Sequence, residues 1–208
     1  MNQLALAIFL ACVATGCVSV GGGASKAPEP RYALRTARPE AGTRNIAPPV
    51  VATNGLVVVG RVKTPGTLRS TRVRWIDTKS GHVGTLRGGE LEASPDALVS
   101  EAIRSWLSAS GRYGTVADLG IAPRNRSLLM LEAWVEEFGV ERDTSGAWTA
   151  RVALRVYAEP ASHEFFEVPL TATRPLAVKH GKAPSVEDAV KALSSALVET
   201  LETLEKRL

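Results

Sequence analysis

Seven aliphatic residues near the C-terminus, Val186, Val190, Leu193, Leu197, Leu201, Leu204 and Leu208, recur at spacings of 4, 3, 4, 4, 3 and 4. A helix of about 3.6 residues per turn brings such positions onto one side. The chain therefore closes with an amphipathic helix whose stripe needs a surface to cover. Ser185 and Asp188 have the spacing of a capping-box variant at its start. Glu187 and Asp188 at the first turn, and Lys206 and Arg207 at the last, match the helix macrodipole. The stripe fills only about three and a half heptads, which favours packing on the chain's own sheet over a coiled-coil partner.

The surface for that stripe is written in the preceding residues. Trp148, Ala150, Val152, Leu154 and Val156 alternate with Thr149, Arg151, Ala153, Arg155 and Tyr157, the period of a half-buried strand. Leu128 to Val140 and Glu164 to Thr173 flank it as further strands, with a turn at Thr144-Ser145-Gly146 and a break at Glu159-Pro160. In an antiparallel pairing, Glu132 and Glu136 would face Arg151 and Arg155. Leu56-Val57-Val58-Val59 continues through Gly60 to Val62 as a strand suited to burial on both faces. Thr64 to Thr67 reads as a turn, and Thr71 to Thr78 and His82 to Arg87 as two arms of a hairpin. A helix follows: Ser94 suits the N-cap, Pro95 the first position and Asp96 the positive first turn, with Gly111 as the stop. Its broad stripe includes Leu98, Val99, Ala102, Ile103, Trp106 and Leu107. The expectation is one α+β domain over residues 31–208, two amphipathic helices on one face of a mostly antiparallel sheet.

The N-terminus has a different texture. Leu4 to Ala14 is eleven residues without charge, about 16 Å as a helix and far short of the roughly 30 Å hydrocarbon core. That is the length of a signal-peptide core, and it ends in Ala14-Thr15-Gly16-Cys17. An ordinary cleaved signal is one reading. Similarity to a bacterial lipoprotein signal is the other, and it implies removal of residues 1–16 and lipidation of Cys17. Cys12, after Phe9-Leu10-Ala11, sits in a poorer cleavage context. Residues 17–30 then read as the lipidated cysteine and a Gly/Pro-rich tether, with a root-mean-square span of about 20 Å and a full extension of roughly 43 Å. Arg31, Arg35, Arg38 and Arg44 follow, read as a solvated connector with one short strand at Tyr32 to Thr36, or alternatively as a contact for anionic headgroups.

Residues that carry chemistry do not assemble into a motif. His82, His163 and His180 are widely separated and lack a companion Cys, and no zinc-peptidase helix, nucleophile elbow or phosphate-cradling loop is present. Carboxylate pairs such as Glu136-Glu137 and Glu90/Glu92 read as solvated charges. No catalytic, metal or cofactor residue is therefore assigned. A net charge of +4 permits contact with acidic lipid, while RNP-type aromatics of nucleic-acid binders are absent. The strand edges near Tyr32 and Glu164 are candidates for pairing with a partner strand.

In layout the chain resembles the ABC-type transport auxiliary lipoprotein family, which accompanies mammalian-cell-entry (MCE) domain lipid transporters in Gram-negative envelopes. The likeness runs through Cys17, the tether, Tyr32 and Leu34, and the Val-rich strand with Pro65 and Leu68. It continues through Arg74-Trp75-Ile76-Asp77, Tyr113 and Val116, and the terminal helix from Asp188 to Leu197. Val18 after the cysteine is not Asp, so the family's inner-membrane retention signal is absent. The resemblance implies a non-catalytic lipoprotein on the periplasmic face of the outer membrane, docking MCE-domain and ABC transporter subunits as phospholipid moves between membranes. It leaves open whether copies form a homo-oligomer. Two other functions fit a chain of this kind: an assembly lipoprotein that plugs or chaperones an outer-membrane barrel or secretin, and an envelope hydrolase with a distributed site.

Overall fold

A computed structural model describes residues 28–38, 55–119, 127–160, 164–178 and 182–208. The elements in order are β1 (Arg31–Tyr32), β2 (Leu56–Lys63), a 3₁₀ turn (Gly66–Leu68), β3 (Arg74–Asp77), β4 (Val83–Thr85) and β5 (Glu90–Leu91). They continue with α1 (Pro95–Ala109), β6 (Thr115–Asp118), β7 (Ser127–Arg142), β8 (Trp148–Pro160), β9 (Phe166–Leu176) and α2 (Val186–Arg207). The α+β expectation holds, with both helices against one face of a seven-stranded sheet.

The long meander β7–β8–β9 carries the sheet. β8 pairs antiparallel with β7 from Trp148 to Pro160 and with β9 from Trp148 to Ala158. Its inward residues Trp148, Ala150, Val152, Leu154, Val156 and Ala158 are all buried, as the alternation predicts. The strand also runs through Glu159 and Pro160, which the sequence suggested as a break. Pro160 ends the ladder opposite Leu129, a position where a missing N–H is tolerated.

The other edge of β7 is shared by two parallel strands. β2 lies along its first half, from Leu56↔Ser127 to Lys63↔Trp134, and β3 along its last residues, from Arg74↔Gly139 to Asp77↔Arg142. β6 adds in parallel beyond β2, and β4 antiparallel beyond β3. The sheet is thus forked: antiparallel in its long ladders, parallel where β2 and β3 reach β7. Between the two tines, Leu68 from the 3₁₀ turn and Phe138 fill the gap, both buried. Gly139 makes the fork possible, since a Cβ there would come within 2.6 Å of the Arg74 carbonyl.

Both helices obey their sequence signals. Every residue of the terminal stripe is buried, joined by Ala189, Ala196, Ser194, Thr200 and Glu205. The Ser185 Oγ accepts from the Asp188 N–H at 3.0 Å, which closes the predicted cap. At α1 the cap is weaker than expected. Ser94 holds the extended N-cap backbone and its carbonyl accepts from Leu98 N–H, but its side chain makes no cap bond. Gly111 follows α1 with φ +67°, the left-handed geometry that ends helices.

Candidate functional site

Cys17, the assigned lipidation residue, lies outside the described residues, as do Cys12, Arg44, His163 and His180. The structure does show how the chain after Cys17 joins the domain. The predicted strand at Tyr32 to Thr36 is only two residues long, β1, paired in parallel with β5. The folded unit also begins inside the stretch read as tether: Glu29 reaches Arg72 at 3.8 Å, and the Pro30 carbonyl accepts from Glu90 N–H at 2.9 Å.

From there residues 31–38 form a strap across the helices rather than a solvated connector. Tyr32 and Leu34 pack against the core, and the Arg35 N–H donates to Ser194 Oγ on α2 at 3.1 Å. Arg38 then donates to Glu205 Oε1 at 2.7 Å and lies over the Trp106 ring at 5.8 Å. Glu205 is 4% exposed. Its other oxygen accepts from Trp106 Nε1 at 2.9 Å, and Arg112 stands 3.8 Å away while donating to the Glu205 carbonyl at 2.6 Å. One buried carboxylate therefore ties the strap, α1, the segment after α1 and the end of α2. Beside it, the Tyr113 hydroxyl is buried without a hydrogen-bond partner, and burial raises its pKa above the ordinary phenol value.

Sequence reasoning missed this cluster, although a signal existed. Leu201, Leu204, Glu205 and Leu208 follow one helical face, so Glu205 is a carboxylate on an apolar stripe. Such a position demands partners.

The sheet face away from the helices is an ionic surface. Arg155 donates to Glu136 at 2.6 Å and Glu167 at 2.8 Å, and Arg151 pairs with Glu137 and Glu141. The Glu136–Arg155 contact is diagonal: Glu136 is the bulged residue, Arg155 lies opposite Trp134 and Arg151 opposite Gly139, so neither glutamate directly faces an arginine as the sequence suggested. Glu132 faces Tyr157 and meets Lys63 at 3.6 Å, in the register that runs from the Arg142↔Trp148 pair at the turn through the bulge between Val135 and Glu137. All these groups are well exposed and paired side to side, as solvated charges rather than a dyad. Trp134 (under Lys63, 5.5 Å) and the stacked rings of Tyr157 and Phe165 stand among them. No group of three or more metal-type ligands occurs among the described residues, and none of their helices is long and apolar enough to cross a membrane.

A cleft of about 540 Å³ opens at the β3–β4 tine. Leu68, Val73, Leu91, Pro95 and Phe138 form its apolar walls, and the three residues of β4 form one side. Arg72 and Arg74 stand at its rim. Val83 on that side is 44% exposed, an unusual state for an aliphatic strand residue. Gly84 is held there by Trp75, whose indole lies where a Cβ would be, within 2.6 Å. Trp75 in turn packs against His82 and edge-on against Trp148.

No family model matches the sequence, and no curated protein matches it significantly. Solved structures share the fold. The chain is similar to protein XCC0632 from Xanthomonas campestris, described as DUF330, with a TM-score of 0.64 and 16% identity over 84% of this chain and 92% of that one. A crystal structure described as an uncharacterized protein aligns with a TM-score of 0.61 at 12% identity, covering 86% of this chain and 97% of that one. A PelC dodecamer from Paraburkholderia phytofirmans aligns over 76% of this chain and 95% of that one at 15% identity, with a TM-score of 0.39, too low to support any argument. At such identities the first two likenesses establish the architecture alone.

Proposed function

We propose that this chain is a non-catalytic, lipid-anchored component of an ABC-type, MCE-associated lipid transport system, docking the transporter at the periplasmic face of the outer membrane. The observation that carries this reading is Ala14-Thr15-Gly16-Cys17 at the end of an eleven-residue apolar run, ahead of an α+β domain of this layout. Acyl chains on Cys17 would give stable anchoring, at about 0.8 kcal/mol per buried methylene. The strap supports the reading because it makes a fixed exit: the domain cannot swing away from its anchor beyond the residues that precede Glu29. From Cys17 to Pro28 the chain spans at most about 36–40 Å. A homo-oligomer is compatible with this role, and sedimentation of the purified protein measures it.

Two experiments test the reading. Metabolic labelling with palmitate should mark the wild type and not Cys17→Ala; equal labelling of both removes the anchor from Cys17. Crosslinking in intact envelopes, followed by solubilisation and affinity capture, should recover an MCE-domain protein and an ATPase. Recovery of an outer-membrane barrel alone would instead favour the assembly role, and turnover of ester or peptidoglycan substrates by the purified chain would favour a hydrolase.

A further inference from the structure

The two strand edges that the sequence suggested for partner pairing are poor ones. β1 is two residues long. β9 carries Pro169 and Pro175 opposite Arg155 and Thr149, and since a proline can stand in a ladder only with its nitrogen turned outward, two donors are missing from the free edge.

The edge of β4 is different. Asp77 N–H donates to the His82 carbonyl at 2.8 Å and Leu86 N–H to the Val73 carbonyl at 2.9 Å, which fixes the phase of the antiparallel ladder. Ile76↔Val83 and Arg74↔Thr85 then fall at the non-hydrogen-bonded positions. The N–H and C=O groups of Val83 and Thr85 therefore point away from β3, to the open edge. Beside this edge lies the apolar cleft, so an arriving strand would find both backbone partners and a pocket for a side chain.

Charge decides what kind of strand fits. Arg69, Arg72, Arg74 and Arg87 all lie in the segments around the cleft. Arg72 meets Glu90 at 3.3 Å and Glu29. Among the described residues no carboxylate pairs with Arg69, Arg74 or Arg87, in contrast to Arg151 and Arg155 on the sheet face. We propose that the β4 edge and its cleft form a docking site for an extended, acidic segment of a partner protein, which adds as a strand to β4 and inserts an apolar side chain between Leu68, Val73 and Phe138. This site rests on the cleft and the edge, not on the anchor, so it stands whether or not Cys17 is lipidated.

The test uses purified full chain and a fluorescein-labelled seven-residue peptide alternating Val with Asp and Thr, read by anisotropy. Replacing its Asp residues by Lys should weaken binding at least tenfold. So should N-methylation of alternate peptide amides, which removes donors without touching the protein. Arg74→Glu should weaken the acidic peptide at least tenfold and favour the Lys peptide, with near-UV circular dichroism confirming a native fold. In heteronuclear NMR the Val83 and Thr85 amides should shift on titration. Binding of the N-methylated peptide within twofold of the parent would overturn strand addition, even if Arg74→Glu fails to fold. Absence of peptide binding, with sodium laurate shifting the same amides, would overturn the proposal in favour of an anionic amphiphile.

Discussion

Deleting the Glu205 carboxylate should be the most costly single change at the helix layer. The group sits against two guanidinium groups and the Trp106 indole N–H, and the Arg38 and Arg112 side chains are only 17% and 12% exposed. Glu205→Ala would leave two largely buried cations facing each other with no anion between them. Breaking a buried pair in this way costs about 3–5 kcal/mol. Both arginines reach some water, which places the expected loss near the lower end, about 3 kcal/mol. Glu205→Gln removes the negative charge and leaves one amide oxygen for the two donors Arg38 and Trp106, with the amide NH2 set against the other, a loss of about 1–3 kcal/mol. Arg38→Met retains an alkyl stem over Trp106 and leaves Glu205 with Arg112, so about 1 kcal/mol is expected. Urea unfolding followed by tryptophan fluorescence gives the three values. Hydrogen exchange adds the local consequence: in Arg38→Met the Arg35 N–H, bound to Ser194, and the Glu92 N–H, bound to Tyr32, should exchange faster than amides in β8. A loss below about 1 kcal/mol in Glu205→Ala, or unchanged protection of those two amides in Arg38→Met, would refute the view that this cluster fastens the strap.

Three further changes test other parts of the fold. Leu197→Ala removes a fully buried side chain from the α2 stripe and should cost about 2–5 kcal/mol in the same urea assay. Gly84→Ala drives a Cβ into the Trp75 ring and should cost about 1–3 kcal/mol, with a change in near-UV circular dichroism from the Trp75–Trp148 pair. Tyr113→Phe deletes a buried hydroxyl that has no partner and should be neutral or slightly stabilising at pH 7. The folded-state pKa of Tyr113 is raised, so wild-type stability falls as pH rises above the ordinary phenol value of about 10, where the unfolded chain releases the proton first. That alkaline decline should be shallower in Tyr113→Phe when unfolding free energies are measured across the range.

Elements whose residues repeat locally were legible in the sequence. The α2 stripe with its Ser185 cap, the alternation of β8, the β3–β4 hairpin and the Pro95 start of α1 all follow from spacing within a few turns or strand repeats. What escaped is what distant segments decide together. The parallel docking of β2 and β3 on β7 joins positions more than sixty residues apart and depends on a close approach at Gly139, which periodicity does not encode. The register set at the Arg142↔Trp148 turn, together with the bulge at Glu136, keeps both glutamates from directly facing the arginines expected opposite them. Arg38 read as solvated because its charge is local and its partner, Glu205, lies at the other end of the chain. The docking cleft was invisible for the same reason: its walls come from the 3₁₀ turn, β3, β5, the start of α1 and the middle of β7.

The strap and the cleft share a corner of the molecule, and this links anchoring to docking. Glu29 pairs with Arg72 at the cleft rim, and β1 pairs with β5, whose Leu91 is a cleft wall. The chain from Cys17 therefore meets the domain beside the cleft, while Glu205 fastens the far end of the strap at the helix termini. If Cys17 carries lipid, the cleft lies within roughly 40 Å of the membrane surface, plus the few ångströms from Glu29 to its rim. A partner segment bound at β4 would then sit at the base of the tether, where its acidic groups compete with Glu29 and Glu90 for Arg72. Glu29→Gln leaves Arg72 less neutralised and should tighten the acidic peptide two- to threefold while leaving the Lys peptide weak. Weaker binding in that variant would show that the strap supports the cleft by ordering it rather than by competing for its rim.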